Sequence, residues 1–231
     1  VGRRQLGRGK GTQVPASQHH KERRVRRSQS LENMNILTSE LIQTNGLRIE
    51  EMERTYFNST VLDSMTKFDP KNHNAYIWGP PGTGKTCIAT AVMTKINGPM
   101  LRARSITRIV QKGFNDDELS EIDLILLFCG EKISTRSYYQ PGIFAMAIDD
   151  IAVEKMSEHA TTTLTEILDR RAEAGINGLI VTSNLSLDHL ANRIGSDRIT
   201  SRLAGMCKVF SLIGEKDYRI GGLSETRTAK G

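Results

Sequence analysis

The stretch AYIWGPPGTGKT, residues 75–86, joins a short apolar run to a glycine-rich loop, and a helical pattern over Lys85–Ile96 follows it. The loop matches the pattern GxxxxGK[ST] in full, with the members Gly79, Pro80, Pro81, Gly82, Thr83, Gly84, Lys85 and Thr86. Between a strand and a helix, such a loop wraps backbone N–H groups around phosphates. Lys85 is expected to reach the β- and γ-phosphates, and the Thr86 hydroxyl to bind Mg²⁺. The sequence therefore predicts a site for ATP and Mg²⁺.

A pair of acids, Asp149 and Asp150, ends the unbroken apolar run over residues 143–148. Such a run is typical of a strand that is buried on both faces. The magnesium ion of a nucleotide site needs a carboxylate from a neighbouring strand, and Mg²⁺ keeps several of its waters. We therefore expect Asp149 to hold Mg²⁺ and Asp150 to act as the general base for the attacking water. The alternative is that both acids cap a surface helix.

A third polar position follows the apolar run over residues 179–182, where the chain continues Ser183-Asn184. We expect this strand to lie between the phosphate loop and the strand of Asp149. Asn184 could then hold the lytic water or the γ-phosphate. The alternative is that Ser183 or Asn184 caps the next helix, a position that both residue types favour.

Strand and helix patterns alternate along the chain after Asp69-Pro70. Strands are predicted over residues 75–78, 99–104, 143–148, 179–182 and 208–213. Helices are predicted over residues 85–96, 106–113 with Ser105 as the cap, 117–128, 159–174, 186–193 and 196–204. This alternation is typical of an α/β fold in which a parallel sheet of about five strands lies between helices.

The N-terminal third differs from the rest in charge and pattern. Residues 1–30 contain nine Lys or Arg and one acid, although the 231-residue chain has a net charge of only +6. With few large apolar residues they are predicted to be a disordered tail, either a solvated linker or a contact for nucleic acid. Residues 31–70 are predicted to be a short helical N-terminal extension, with helices over 31–44 and 48–67. They either pad the core or dock a partner protein. Residues 71–231 are predicted to form the ATPase domain.

Cysteine spacing and hydropathy indicate a cytoplasmic protein. Cys87, Cys129 and Cys207 lie far apart and have no spacing typical of metal ligands or of a disulfide framework. The longest apolar run, residues 122–129, is interrupted by Asp123 and is much shorter than the roughly 20 residues that cross a bilayer. We therefore expect no membrane partner.

The order of these motifs resembles a known family. The segments GPPGTGKT, AIDDIAVE (147–154), TEILDRRAEAG, VTSN and GSDRITSRL (195–203) are similar to those of the DnaC/DnaI-type helicase loaders, which are AAA+ ATPases, and of the related IstB-type transposition helper ATPases. The similarity extends over about residues 75–220. It implies a P-loop NTPase fold of the AAA+ (ASCE) type without a large C-terminal lid.

The resemblance also implies an assembly in which ATP binds at the seams between self-associated subunits. An arginine finger from the next subunit stabilises charge on the γ-phosphate in such enzymes. Arg202 aligns with the finger of the family, and Arg198, four residues earlier, is its rival. Asp150 stands where many AAA+ proteins have Glu, and its shorter side chain suits slow, Mg²⁺-dependent hydrolysis of ATP.

Three functions are compatible with these motifs. The first is a helicase loader in DNA replication, with a replicative DNA helicase and single-stranded DNA as partners. The second is a transposition helper that coats DNA and directs a transposase. The third is a nucleotide-dependent binding module that scarcely hydrolyses ATP. Four basic residues are candidates for DNA contact or for a solvated helix face: Arg102, Arg104, Arg108 and Lys112.

Overall fold

The computed structural model describes Ile42 and residues 48–112, 119–134, 139–151 and 156–218. The predicted disordered tail, residues 1–30, lies outside these ranges. So does the predicted helix over residues 31–44, apart from Ile42, whose N–H donates to the Met100 carbonyl at 2.9 Å.

The strands and helices alternate through the described ranges. The strands are β1 (Ala75–Trp78), β2 (Met100–Arg102), β3 (Ile133–Ser134), β4 (Tyr139–Gln140), β5 (Met146–Asp149), β6 (Leu179–Ser183) and β7 (Lys208–Ser211). The helices are α1 (Ser59–Thr66), α2 (Lys85–Ile96), α3 (Ala103–Lys112), α4 (Glu121–Phe128), α5 (Glu158–Glu173), α6 (Leu187–Ile194) and α7 (Asp197–Met206). A 3₁₀ turn, Ile49–Glu51, precedes α1.

Five parallel strands form the central sheet in the order β2-β5-β6-β1-β7. The register pairs Ile77 with Thr182 and Ala147 with Ile180. β6 therefore lies between β1 and β5, as predicted, and the carboxyl ends of these three strands meet at one edge.

Alternate strand residues face two separate cores. Tyr76, Ile148 and Val181 pack on one face of the sheet with residues of α3, α4, α5, α6 and α7. Ile77 and Ile180 pack on the other face with α1 and α2. This helix–sheet–helix layering buries the central strands on both faces, which confirms the predicted α/β fold class.

Several predicted bounds are wrong for local reasons. The predicted helix over residues 48–67 is a 3₁₀ turn and α1 separated by a turn, because Thr55 N–H donates to Asn58 Oδ1 at 2.8 Å and Asn58 N–H donates to Thr55 Oγ1 at 3.2 Å. Ser105 is not a cap, because α3 begins at Ala103, directly after β2, and Ser105 is buried within it. The helix predicted from residue 117 begins at Glu121, where Ser120 and Asp123 form a capping box.

The buried strand predicted over residues 143–148 is β5, and it begins only at Met146. Ile143 N–H instead donates to the Leu127 carbonyl at 2.9 Å, so this part of the run is tied to α4. The antiparallel pair of β3 and β4 was not predicted.

Both ends of the described chain pack on the sheet domain. Ile49, Val61, Leu62, Met65 and Phe68 are buried in the same core as β1 and α2. After β7, the described residues reach only to Tyr218 and contain no helical lid.

No helix in the described ranges is long and apolar enough to span a membrane.

Candidate nucleotide site

The phosphate loop lies between β1 and α2, where the sequence predicted it. Gly82 and Gly84 have φ angles of 81° and 89°, in the left-handed region that glycine adopts without strain. Gly84 is the N-cap of α2 and has no side chain, so the N-cap residue itself makes no side-chain hydrogen bond to the N–H groups of the first helical turn. These groups, together with the positive end of the helix dipole, are suited to an anion.

The Lys85 side chain lies inside the curve of this loop. Its Nζ donates to the Gly79 carbonyl at 2.8 Å and to the Pro80 carbonyl at 2.7 Å. Thr83 Oγ1 also donates to the Pro80 carbonyl, at 2.9 Å. The loop is therefore held by its own polar groups, with the ammonium at its centre.

Asp149 lies beside Thr86, although 63 residues separate them in the chain. Thr86 Oγ1 donates to Asp149 Oδ1 at 3.0 Å, and Thr182 Oγ1 donates to the same oxygen at 2.6 Å. Asp149 is only 3% exposed, and burial raises the pKa of its carboxyl group above the ordinary value.

Asp150 adopts a left-handed conformation, with φ of 57°. Its N–H donates to Thr182 Oγ1 at 3.0 Å, and this bond holds the residue at the sheet edge. A non-glycine residue in this region is strained by about 1 kcal/mol or more, and such strain is often found at functional sites. The two acids are thus directed differently: Asp149 contacts Thr86, and Asp150 lines the cavity beside the loop.

Asn184 follows β6 and lines the same cavity as Asp150 and the phosphate loop. The alternative of a helix cap is wrong, because Ser186 caps α6 by accepting from His189 N–H. Ser183 Oγ instead donates to the Ile151 carbonyl at 3.2 Å and accepts from Leu185 N–H at 3.1 Å.

The cavity has a volume of about 510 Å³. It is lined by Met52, Glu53, Asn58, Pro81, Gly82, Thr83, Gly84, Lys85, Thr86, Cys87, Ile88, Asp150, Asn184 and Tyr218. Sequence reasoning missed Met52, Glu53, Asn58 and Tyr218, which carry no motif and come from the two ends of the domain.

One contact ties the C-terminal end to the phosphate loop, and two contacts join the two ends to each other. Tyr218 N–H donates to the Gly82 carbonyl at 3.1 Å, and Asn58 Nδ2 donates to Tyr218 Oη at 3.4 Å. Lys216 and Glu53 form an ion pair at 2.8 Å. The wall of the cavity opposite the acids is therefore built from segments that no local pattern connects.

The two candidate arginines lie on α7 and not in this cavity. Arg202 Nε donates to Asp169 Oδ1 at 2.5 Å, and Arg198 Nη2 lies 2.6 Å from Asp169 Oδ2. The structure places both on one side of α5, in contact with the same carboxylate.

The four basic residues proposed for DNA contact are exposed at the end of β2 and along α3. Arg104, Arg108 and Lys112 recur at four-residue spacing on that helix, while Ile106, Ile109 and Val110 are buried beneath it. The four side chains thus form one positive surface, which we call the α3 face.

The residues of the cavity fit ATP and Mg²⁺. N–H groups at a helix N-terminus and a lysine suit phosphates. The hydrogen bonds to the buried Asp149 carboxylate come from two neutral hydroxyls, so a divalent cation held by Asp149 and Thr86 would offset the cost of burying its charge.

Several solved structures have a similar fold, among them the DnaC helicase loader, DnaI and DnaA. A crystal structure of the DnaC helicase loader has 16% identity and a TM-score of 0.57, and the match covers 71% of this chain and 95% of that one. A crystal structure of DnaI has 14% identity and a TM-score of 0.55, with 77% and 93% covered. AMPPCP-bound DnaA from Aquifex aeolicus has 14% identity and a TM-score of 0.57, with 80% and 55% covered. These similarities confirm the P-loop fold class.

A comparison with curated protein sequences found no match. The sequence profile of the IstB-like ATP binding proteins, in contrast, matches residues 17–223 and so covers most of the chain. With the complete phosphate loop and the acid pair beside it, this match means that the chain belongs to the family of IstB-like ATP binding proteins.

Proposed function

We propose that this chain is a Mg²⁺-dependent ATPase that acts as a loader of a replicative DNA helicase. One observation carries the ATPase proposal: the phosphate loop, Asp149, Asp150 and Asn184 meet where three adjacent parallel strands end. This geometry offers separate groups for the phosphates, the metal and the attacking water.

In the proposed reaction, Lys85 and the N–H groups of the loop bind the β- and γ-phosphates. Thr86 and Asp149 would hold Mg²⁺, which neutralises phosphate charge when it is bound. Asp150 takes the proton of the attacking water as general base, and Asn184 orients that water. Arg202 of a neighbouring subunit stabilises the charge that develops on the γ-phosphate.

ATP turnover by three forms of the full chain tests this proposal. We expect slow but measurable turnover by the wild type, and a loss of at least about tenfold in both Lys85→Ala and Asp150→Asn. Lys85→Ala should also lose binding of a fluorescent ATP analogue, whereas Asp150→Asn should keep it. Binding without turnover by the wild type, with or without single-stranded DNA, would make the chain a nucleotide-dependent module instead.

Partner docking is supported by the segment before α1. Tyr56 is 90% exposed and Phe57 is 47% exposed, and the two rings contact each other edge to face. Exposed aromatic residues of this kind are enriched at protein interfaces. We propose that this segment contributes to binding the helicase, and that the α3 face binds single-stranded DNA.

The family match favours a second function, that of a transposition helper which binds DNA and directs a transposase. The fold similarity to DnaC and DnaI favours the loader. A pull-down with the full chain separates the two. Retention of the replicative helicase in an ATP-dependent manner supports the loader, and retention of a transposase without the helicase supports the helper.

A further inference from the structure

One carboxylate, that of Asp169 on α5, contacts both arginines of α7. Its Oδ1 accepts from Arg202 Nε at 2.5 Å, and its Oδ2 lies 2.6 Å from Arg198 Nη2. Asp169 is 7% exposed, so its carboxylate is anchored inside the subunit, while both arginines reach it from the surface. Each oxygen has its own guanidinium, and the two arginines therefore do not compete for the same position.

The charged ends of both arginines remain accessible. The Arg198 side chain is 66% exposed and the Arg202 side chain is 39% exposed. A cavity of about 650 Å³ opens beside Arg198, and its charged lining consists of Arg198, Arg170 and three carboxylates, those of Glu166, Asp169 and Glu173. Arg202 bonds Asp169 through Nε, the nitrogen nearest its stem, and its Nη2 lies 3.9 Å from Oε1 of Glu173, whose side chain is 69% exposed. An anchored base with an accessible end suits contact with an anion outside this subunit.

Without Asp169 this arrangement would be unfavourable. Arginines four residues apart on one helix face repel each other. Each side chain also has large rotamer freedom, and contact with a phosphate must restrict that freedom. The carboxylate offsets the repulsion and restricts the rotamers before any ligand arrives.

We propose that Asp169 is a positioning residue, which orients Arg202 and Arg198 for the nucleotide of a neighbouring subunit. This inference rests on the proposed ATPase that works at subunit seams. Asp169 does not touch the nucleotide; it acts through the two arginines. Two alternative roles differ from positioning. In the first, which we call a staple, the contact only joins α5 to α7. In the second, which we call a latch, the contact holds the arginines away from the nucleotide of the neighbouring subunit.

Mixing of subunits separates these roles. Asp169→Asn removes the charge but keeps the size of the side chain, and we expect turnover to fall about tenfold while binding of a fluorescent ATP analogue stays unchanged. Lys85→Ala subunits lack a working phosphate loop but retain a correctly placed arginine pair. Mixing the Asp169→Asn and Lys85→Ala proteins should raise turnover above the sum of their separate activities. Some seams in the mixture then combine the intact phosphate loop of an Asp169→Asn subunit with the intact arginine pair of a Lys85→Ala subunit.

Two further mixtures serve as the positive and the negative control. Arg202→Ala with Lys85→Ala should recover turnover, since their defects lie on opposite sides of a seam. Asp150→Asn with Lys85→Ala should not, since both defects lie on the nucleotide side. Glu158→Gln, which changes an exposed carboxylate in the first turn of α5 that does not line the 650 Å³ cavity, is the matched control and should keep wild-type turnover.

Each other outcome overturns the inference. Unchanged turnover in Asp169→Asn excludes positioning, higher turnover indicates a latch, and a loss that mixing does not recover indicates a staple. If Asp169→Asn fails to fold, Asp169→Glu replaces it; the longer side chain keeps the charge but shifts both guanidinium groups, so the same loss and recovery are expected. If neither Arg198→Ala nor Arg202→Ala lowers turnover, the seam arginine of the proposed function itself is wrong.

Discussion

Thr182 connects the two acids of the site through a single hydroxyl. Its Oγ1 donates to Asp149 Oδ1 at 2.6 Å and accepts from Asp150 N–H at 3.0 Å. The side chain is fully buried in β6, so no water can replace it. The orientation of Asp149 and the left-handed backbone of Asp150 therefore depend on one residue that touches neither the phosphates nor the attacking water in the proposed reaction.

We predict that Thr182→Val lowers Mg²⁺-dependent ATP turnover by about tenfold or more, because metal-binding carboxylates depend on their outer hydrogen bonds. The change keeps the shape of the side chain, and we expect it to cost about 1–2 kcal/mol in the free energy of unfolding. Steady-state turnover across a Mg²⁺ titration is the measurement.

Thr182→Ser is the matched control, since it keeps the hydroxyl and removes only a methyl group. It should retain most of the wild-type turnover. Equal turnover by the valine and serine variants would contradict the role of the hydroxyl.

At the scale of elements, α5 is held to its surroundings by a buried arginine. Arg171 is 0% exposed, and it donates to the carbonyls of Phe128, Ile143, Phe144 and Asn177 at 2.5–3.0 Å. These carbonyls belong to the end of α4 and to the segments that lead into β5 and β6. Burial lowers the pKa of Arg171 to about 10, which still leaves the side chain charged at neutral pH.

We predict that Arg171→Met lowers the free energy of unfolding by about 3–5 kcal/mol, because it leaves several buried carbonyls without donors. Denaturant unfolding followed by circular dichroism measures the change. The neighbouring Arg170 is the control: it pairs with Glu166 on the surface of the same helix, and Arg170→Met should stay within about 0.5 kcal/mol of the wild type. Similar losses of unfolding free energy in both variants would contradict a stabilising role for the buried hydrogen bonds of Arg171.

At the scale of the described molecule, the α3 face presents four exposed basic residues. Arg102, Arg104, Arg108 and Lys112 are all exposed there, and Arg102 pairs in register with Asp149, at the sheet edge that carries the nucleotide site. A strand of nucleic acid bound to this face would therefore lie close to the candidate nucleotide site.

We predict that joint replacement of these four residues by Gln weakens single-stranded DNA binding and flattens its salt dependence. Each lost phosphate contact should lower the slope of log K against log salt concentration by about 0.7. Fluorescence anisotropy at several salt concentrations measures both quantities.

The control replaces four exposed lysines outside the α3 face with Gln: Lys71, Lys95, Lys132 and Lys208. The two variants have the same net charge, so an effect of net charge alone would appear equally in both. An equal loss of DNA affinity in the two variants would contradict a specific role for the α3 face.

The amino-acid sequence by itself determined the phosphate loop, the strand order around it and the placement of Asp149, Asp150 and Asn184. These features have local signatures: a complete glycine pattern, a buried apolar run that ends in acids, and a polar turn after the next strand. Parallel strands then bring their carboxyl ends to one edge, so the three motifs lie at the same edge of the sheet.

Only the tertiary structure decided which residues support that site. Thr182 and Asp149 are 33 residues apart, as are Arg202 and Asp169, and Asn58 and Tyr218 are separated by 160 residues. Thr182, Asp169, Asn58 and Tyr218 are ordinary polar residues in their local sequence, and the role of each comes from a partner that chain folding brings within hydrogen-bonding distance. Hydrogen bonds depend on distances of a few tenths of an ångström, and periodicity and composition contain no information at that scale.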